Sequence, residues 1–133
     1  ANGAGGMIIN DPDVLKEVTE KFYAYETALM TDDIDAMGQL FWDAPQTIRL
    51  GVGENLYGIE AINAFRIARR GSPQRVLKRV EITTFGQDFA IANTEFVREN
   101  SDKTGRQSHA WARIPGQGWR VVAAHVSLMG NTS

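Results

Sequence analysis

Apolar residues at helical spacing dominate the start of the chain. Asn10-Asp11-Pro12 supplies a capping residue followed by a proline, which suits the first turn of a helix. The pattern then repeats every three or four residues and predicts an amphipathic helix that runs to about Thr31. Its apolar positions are Val14, Val18, Phe22, Tyr25 and Leu29.

Two shorter helices are predicted to follow. Asp32 and Asp33 can cap the second helix, which ends before Pro45 because a residue that precedes proline disfavours helical backbone. Gly58 opens the third helix, and a Gly-Ser-Pro sequence at 71–73 closes it. The positions that define these helices are Ile34, Met37, Leu40 and Phe41 in the second and Ile59, Ile62, Phe65 and Arg69 in the third.

Strands are predicted for most of the remaining chain. Two short β-rich pieces at 47–50 and 55–57 predict a hairpin between the second and third helices. Four long segments, separated by turn-forming sequences, are also rich in strand residues: 76–85, 89–98, 106–114 and 119–128. Helices followed by antiparallel strands predict an α+β fold. Long twisted strands curl, so we expect a cone-shaped antiparallel sheet packed on three N-terminal helices, with a cavity between them.

The composition is that of one ordinary globular domain. The 133 residues include 43% hydrophobic and 23% charged residues, and the formal net charge is −2. The first six residues, ANGAGG, are interpreted as an expression-tag remnant, with the native start at Met7 and a single domain over 7–133. Cysteine is absent, which excludes disulfides and thiol nucleophiles and fits a reducing, cytoplasmic compartment. No apolar run is long enough to predict a membrane span.

Basic residues are concentrated in one stretch. They are Arg66, Arg69, Arg70, Arg75, Lys78 and Arg79. The acidic overall balance and the lack of interleaved aromatic residues argue against nucleic acid as a partner. The stretch is either a solvated basic edge or a source of one or two arginines for a small anion, because a guanidinium fork matches a carboxylate. Arg66 and Arg69, three positions apart on the third helix, can both border its buried face.

Tyr25 and Arg49 are the first candidates for a functional site. Tyr25 lies on the apolar stripe of the first helix, so its hydroxyl must find a partner or face a cavity. Arg49 shares one side of its strand with Thr47, while Ile48 and Leu50 share the other. Four residues do not determine which side is inner. An inward arginine would need an anion, whereas an outward one would be solvated.

The two histidines, His109 and His125, fall on consecutive predicted strands. A three-residue connection with a left-handed Gly118 would place them opposite each other, and a two-residue connection would place Ser108 opposite His125. Two histidines do not supply the three ligands of a catalytic zinc, and no HExxH spacing occurs, so no metal site is predicted. His125 and Ser127 on one strand face are a candidate pair for proton exchange, with a buried structural histidine as the alternative.

Several sequence blocks resemble one known family. They are FWDAP at 41–45, GENLYG at 53–58, AFR at 64–66, ITTFG at 82–86, GRQS at 105–108 and WRVVAAHVS at 119–127. This combination resembles the AtzH-like family, which includes proteins of oxalurate catabolism and belongs to the SnoaL-like, nuclear transport factor 2-like superfamily. The resemblance extends from Asp11 to Met129 and implies the same cone, a cystatin-like α+β fold.

The resemblance also implies a function. The family is linked to the hydrolysis of small carboxylated ureides, such as 1,3-dicarboxyurea and oxalurate, without a cofactor. It implies a cytoplasmic homo-oligomer, usually a dimer through the outer face of the sheet. Within the family pattern Tyr25 and Arg49 look like the active-site pair. The further residues predicted to bind substrate are Asn55, Arg66, Arg69, Gln107, His125 and Ser127.

Three functional hypotheses follow. The first is a hydrolase in which Arg49 binds a carboxylate and polarises the carbonyl, Tyr25 donates a hydrogen bond or a proton, and a second arginine holds the far end of the ligand. The second is a non-catalytic dimeric binding module that assists a neighbouring amidase. The third is a SnoaL-like isomerase or cyclase with a larger apolar ligand, for which Glu95 or Asp43 would have to supply an acid.

Overall fold

The computed structural model describes residues 6–130 of the chain. Three helices are present within this part: α1 (Pro12–Met30), α2 (Ile34–Leu40) and α3 (Ile59–Ala68). All three confirm the predicted helices to within a residue or two. Residues 1–5 of the predicted tag remnant, together with residues 131–133, lie outside the described residues.

Capping residues determine where the helices begin. The side chain of Asp11 accepts a hydrogen bond from the backbone nitrogen of Asp13 at 3.0 Å, and Asp33 accepts one from Ala36 at 3.0 Å. Each side chain satisfies an N–H that has no partner within its helix. Helix α3 begins instead after Gly58, whose φ of 92° lies in the left-handed region that favours glycine.

Between residues 6 and 130, six strands form one sheet in the order β2-β1-β6-β5-β4-β3. They are β1 (Ile48–Leu50), β2 (Asn55–Tyr57), β3 (Arg75–Phe85), β4 (Phe89–Arg98), β5 (Gly105–Ile114) and β6 (Gly118–Leu128). The predicted hairpin and the four long strands are confirmed. The sheet is not wholly antiparallel as predicted, because β1 runs parallel to β6. Helix α3 and four strands separate these two strands along the chain, so no tight turn makes them antiparallel.

The hydrophobic core lies between α1 and the inner face of the sheet. Its fully buried side chains include Phe22 of α1, Phe41 at the end of α2 and Trp111 of β5. This packing makes the apolar stripe of α1 one wall of the cone and turns Tyr25 toward the interior. No helix in the described part of the chain is both long enough and apolar enough to span a membrane.

The register of β5 and β6 places the two histidines on opposite faces of the sheet. The connection is three residues long, because Ile114 pairs with Gly118, whose φ is 90°. A β-bulge between Ala110 and Trp111 then shifts the pairing by one residue, so Ser108 lies opposite His125 and His109 lies opposite Ala124. His109 is consequently buried on the inner face, and His125 is exposed on the outer face.

The outer face of the sheet carries both apolar and charged side chains. Ile48, Tyr57 and Phe89 are exposed there. A groove of about 330 Å³ on this face is lined by polar and charged residues that include Arg79, Glu81, Asn93, Glu95, Arg106 and Ser108. The dimer contact expected for this face stays a prediction.

Candidate ligand-binding site

Tyr25 and Arg66 form the buried centre of the site. Tyr25 is 5% exposed and Arg66 is 8% exposed. The Nη2 atom of Arg66 donates a long hydrogen bond of 3.5 Å to the hydroxyl oxygen of Tyr25, and the guanidinium lies 4.3 Å from the centroid of the Phe41 ring. The Nη1 atom of Arg66 is buried and has no hydrogen-bond partner within the described residues. Arg66 therefore holds an unused donor inside the protein.

Arg49 lies on the inner face of β1, at the edge of the site. Its Nη1 atom donates to the carboxylate of Glu54 at 2.8 Å, and the two side chains are 20% and 23% exposed. Its guanidinium also lies 5.6 Å from the centroid of the Phe65 ring. A Cβ atom at Gly51 would overlap Glu54, so glycine leaves room for this ion pair. Arg49 thus reaches the interior, but its charge already has a partner.

Arg75 of β3 is almost completely enclosed, with 4% of its side chain exposed. Its Nε and Nη2 atoms donate to the two carboxylate oxygens of Glu26 at 3.1 and 2.6 Å, and Nη2 also donates to Oε1 of Gln107 at 3.1 Å. The guanidinium lies 4.4 Å from the centroid of the Phe96 ring. That ring in turn lies over Gly105, where a Cβ atom would overlap it.

Two adjoining cavities lie inside the cone, with volumes of about 50 and 60 Å³. Both are lined by Tyr25, Leu29, Arg49 and Ser72. The lining of the first also includes Phe65, Arg66 and Arg69, and that of the second includes Arg75, Arg98, Gln107 and His109. One water needs about 10–15 Å³ of such space, so together the cavities have room for a small molecule.

Positive charge exceeds negative charge around these cavities. Five arginines line them: Arg49, Arg66, Arg69, Arg75 and Arg98. Three carboxylates close to the cavities are already bonded, Glu54 to Arg49, Glu26 to Arg75 and Asp32 to Arg70. Among residues 6–130, no carboxylate lies within 4.0 Å of the guanidinium nitrogens of Arg66 or Arg98. The site is therefore complementary to an anion.

The family model described as AtzH-like matches residues 7–132 of the chain. The chain belongs to the AtzH-like family. The resemblance noted in the sequence is thereby confirmed. No match was found among curated proteins.

Solved structures of similar proteins show the same fold as this AtzH-like chain. A protein of unknown function from Pectobacterium atrosepticum is 51% identical, with a TM-score of 0.90 over 94% of this chain and 100% of that chain. A cystatin-like fold protein from Burkholderia xenovorans is 46% identical, with a TM-score of 0.91 over 96% and 100% of the two chains. A nuclear transport factor 2-like superfamily protein from Salmonella enterica is 28% identical, with a TM-score of 0.73 over 91% and 94%. The predicted cone fold is confirmed.

The predicted site residues of this AtzH-like protein divide into two groups. Those that line the inner cavities are Tyr25, Arg49, Arg66, Arg69 and Gln107. The other three, Asn55, His125 and Ser127, lie on the outer face of the sheet. Asn55 lies opposite Leu50, which in turn lies opposite His125, and Ser127 points the same way as His125 because it is two residues further along β6. The pairing therefore places these three residues, which were predicted to bind substrate, on the side of the sheet away from the inner cavities.

Sequence reasoning did not assign three further residues of the cavity lining to the site. Arg75 and Arg98 lie opposite each other in the pairing of β3 with β4, and both line the second cavity. His109 lines the same cavity because alternate residues of β5 face the interior. Burial lowers the pKa of Arg98, and repulsion from Arg75 and Arg49 lowers it further. The sequence signal that could have found the inward histidine is the alternation of Gln107, His109 and Trp111 with Arg106 and Ser108 along β5.

His109 is held in its neutral form. It is 2% exposed, its ring centroid lies 5.1 Å from that of Tyr25 with the two rings nearly perpendicular, and its Nδ1 atom has no partner within the described residues. Burial lowers its pKa from 6.5 to about 3, and the positive charges of Arg75, Arg49 and Arg66 add to the shift. The imidazole is therefore a weak base that can accept or donate a hydrogen bond but does not carry charge near neutral pH.

This lowered pKa predicts a loss of stability in acid. Between pH 6.5 and about pH 3, His109 is protonated in the unfolded chain but stays neutral in the folded protein. The free energy of unfolding therefore falls as the pH falls through this window. The contribution is on the order of 2 kcal/mol at pH 4.5. Urea unfolding at pH 7 and pH 4.5 should show a smaller pH dependence for His109→Leu than for the wild type. The exposed control His125→Leu should retain the wild-type pH dependence, and equal pH dependence in both variants would contradict the assignment.

Proposed function

We propose that this AtzH-like protein binds a small carboxylated ureide and hydrolyses one of its C–N bonds. The excess of arginine around two small cavities is the observation that carries the proposal. Arg66 is the decisive residue, because a buried guanidinium without a counter-ion raises the free energy of the empty protein. A carboxylate within reach of Arg66 would remove that penalty and would gain charge-assisted hydrogen bonds.

Tyr25 supports a catalytic role beside the bound anion. Its oxygen accepts the hydrogen bond from Arg66, so its own hydrogen remains free to donate to the carbonyl oxygen of a ureide. In hydrolysis, the oxygen of water bonds to the carbonyl carbon, the C–N bond breaks, and the leaving nitrogen takes up a proton released by that water. The Tyr25 hydroxyl and the guanidinium of Arg49 would stabilise the negative charge that develops on the carbonyl oxygen.

A binding module without catalysis is the second candidate, and the shortage of a base favours it. Within the described residues the carboxylates close to the cavities are all bonded to arginine, and the pKa of His109 near 3 makes it a weak base. The isomerase hypothesis has less support, because its two candidate acids, Asp43 and Glu95, are exposed away from the inner cavities.

Replacing Arg49 with methionine is expected to abolish hydrolysis while leaving the fold intact. The purified protein would be incubated with oxalurate and with 1,3-dicarboxyurea, each in the presence and absence of an amidase, and ureide consumption would be followed by chromatography. Loss of the guanidinium should reduce turnover by about a hundredfold or more. The near-ultraviolet circular dichroism spectrum should stay that of the wild type.

Arg79→Met is the matched control, because Arg79 pairs with Glu81 in the open, on the outer face of the sheet. Full turnover by Arg49→Met would contradict the hydrolase proposal. Ureide consumption by the wild type only when the amidase is present would favour the binding module instead.

A further inference from the structure

Gln107 presents an unused hydrogen-bond donor within the second cavity. It is 4% exposed and follows the inward alternation of β5. Its Oε1 atom accepts a hydrogen bond from Nη2 of Arg75 at 3.1 Å. Its Nε2 atom is buried and has no partner within the described residues. A buried amide nitrogen without an acceptor is costly, so this group calls for an acceptor atom supplied by a ligand.

The orientation of this amide follows from the chemistry of its neighbour. A guanidinium has only donors, so the oxygen of Gln107 and not its nitrogen must face Arg75. Arg75 is held in place, since two hydrogen bonds join it to Glu26 and its guanidinium carbon lies 4.4 Å from the centroid of the Phe96 ring. Rotation of the amide would place two donors against each other. The NH2 group is therefore fixed on the side away from Arg75.

We infer that Arg75, held by Glu26, is a positioning residue that fixes the NH2 group of Gln107 for a carbonyl oxygen of the ligand. This inference rests on the proposed function and deepens it. Arg75 is not the anion-binding group, because the carboxylate of Glu26 already neutralises it. Gln107 accordingly selects a ligand with an acceptor at this point and rejects one with an N–H donor, which would leave two buried donors unsatisfied.

Two carboxylates of nearly the same shape test this selection. Hydantoate has a urea carbonyl oxygen where guanidinoacetate has a nitrogen that donates, and guanidinoacetate also carries a positive charge that hydantoate lacks. Dissociation constants would be measured by calorimetry for the wild type, Gln107→Glu and Gln107→Met. We expect the wild type to prefer hydantoate. Gln107→Glu, which offers only acceptors, should shift the preference toward guanidinoacetate by about tenfold or more. Gln107→Met offers neither donor nor acceptor and leaves the charge of the cavity unchanged, so a smaller preference for hydantoate in Gln107→Met than in the wild type isolates the amide hydrogen bond from the charge difference between the ligands.

A double-mutant cycle tests the positioning role of Arg75. Lysine keeps the positive charge but lacks the planar guanidinium that donates hydrogen bonds to Glu26 and Gln107 at the same time. Arg75→Lys is expected to weaken hydantoate binding by about fivefold in the wild-type background and by less than about twofold in the Gln107→Met background. A merely structural effect would be the same in both backgrounds. If Arg75→Lys does not fold, Glu26→Gln takes its place, because it loosens Arg75 while keeping a similar shape.

The outcomes separate the inference from the proposed function. If the wild type binds neither hydantoate nor oxalurate, both are overturned. If the wild type binds them but Gln107→Glu keeps the wild-type preference, only the inference is overturned. Equal losses from Arg75→Lys in both backgrounds would reject the positioning role. Arg79→Lys on the outer face is the matched control and should leave all the dissociation constants unchanged.

Discussion

Replacing Arg66 with methionine is expected to weaken ligand binding strongly while leaving the free energy of unfolding within about 1 kcal/mol of the wild type. Two effects on stability oppose each other. The substitution removes a buried charge that has no counter-ion among the described residues, which favours the variant. It also removes the contact of the guanidinium with the Phe41 ring, which is worth about 0.5–2 kcal/mol.

The effect of Arg66→Met on binding should be large, because a desolvated arginine that bonds a carboxylate contributes about 2 kcal/mol or more to affinity. We therefore expect the dissociation constant for oxalurate, measured by calorimetry, to rise by about thirtyfold or more. Arg66→Lys keeps the charge and should lose less. Arg79→Met, on the outer face, should bind as the wild type does. An unchanged affinity in Arg66→Met would show that the anion binds elsewhere.

Replacing Glu26 with alanine is expected to destabilise the protein by about 3–5 kcal/mol. The side chains of Glu26 and Arg75 are only 13% and 4% exposed, and two hydrogen bonds join them. Alanine would leave the guanidinium of Arg75 buried without its counter-ion. Urea unfolding at pH 7 measures the loss as a lower midpoint.

Two comparisons isolate the cause of this destabilisation. The pair of Lys16 and Glu20 on α1 also forms a salt bridge, at 3.2 Å, but its side chains are 75% and 62% exposed. Glu20→Ala should therefore cost less than about 1 kcal/mol. The double variant Glu26→Leu with Arg75→Met removes both charges and should be more stable than Glu26→Ala. If Glu26→Ala and Glu20→Ala unfold at the same urea concentration, the buried pair is not stabilising.

The fold was predictable because local pattern and tertiary packing agree along most of the chain. The apolar stripe of α1 was predicted from spacing alone, and Tyr25 on that stripe is buried as expected. The hairpin of β1 and β2 followed from short β-rich pieces. The parallel pairing of β1 with β6 could not be predicted, because the two strands are far apart in sequence and neither has a residue pattern that indicates its partner.

The site was only partly predictable, because it depends on which side of each strand faces inward. Arg49 has an inner position that its own strand could not reveal. His125 was a candidate until the bulge between β5 and β6 placed it outside and left His109 within. Arg75 is one of several basic residues in a single stretch of the sequence, and no local feature distinguished it from the others. Its pairing with Glu26 joins α1 to β3 across 49 positions of the sequence, and no local pattern indicates such a contact.

The contact between Phe96 and Gly105 shows how a residue outside the pocket can govern its polarity. The Phe96 ring can pack against β5 only because residue 105 is glycine, which has no Cβ atom to overlap the ring. That ring is the platform beneath Arg75. Directed evolution toward new ligands can therefore begin with joint substitutions at positions 96 and 105. These would shift Arg75, and through it Gln107, without replacing any residue proposed to contact the ligand.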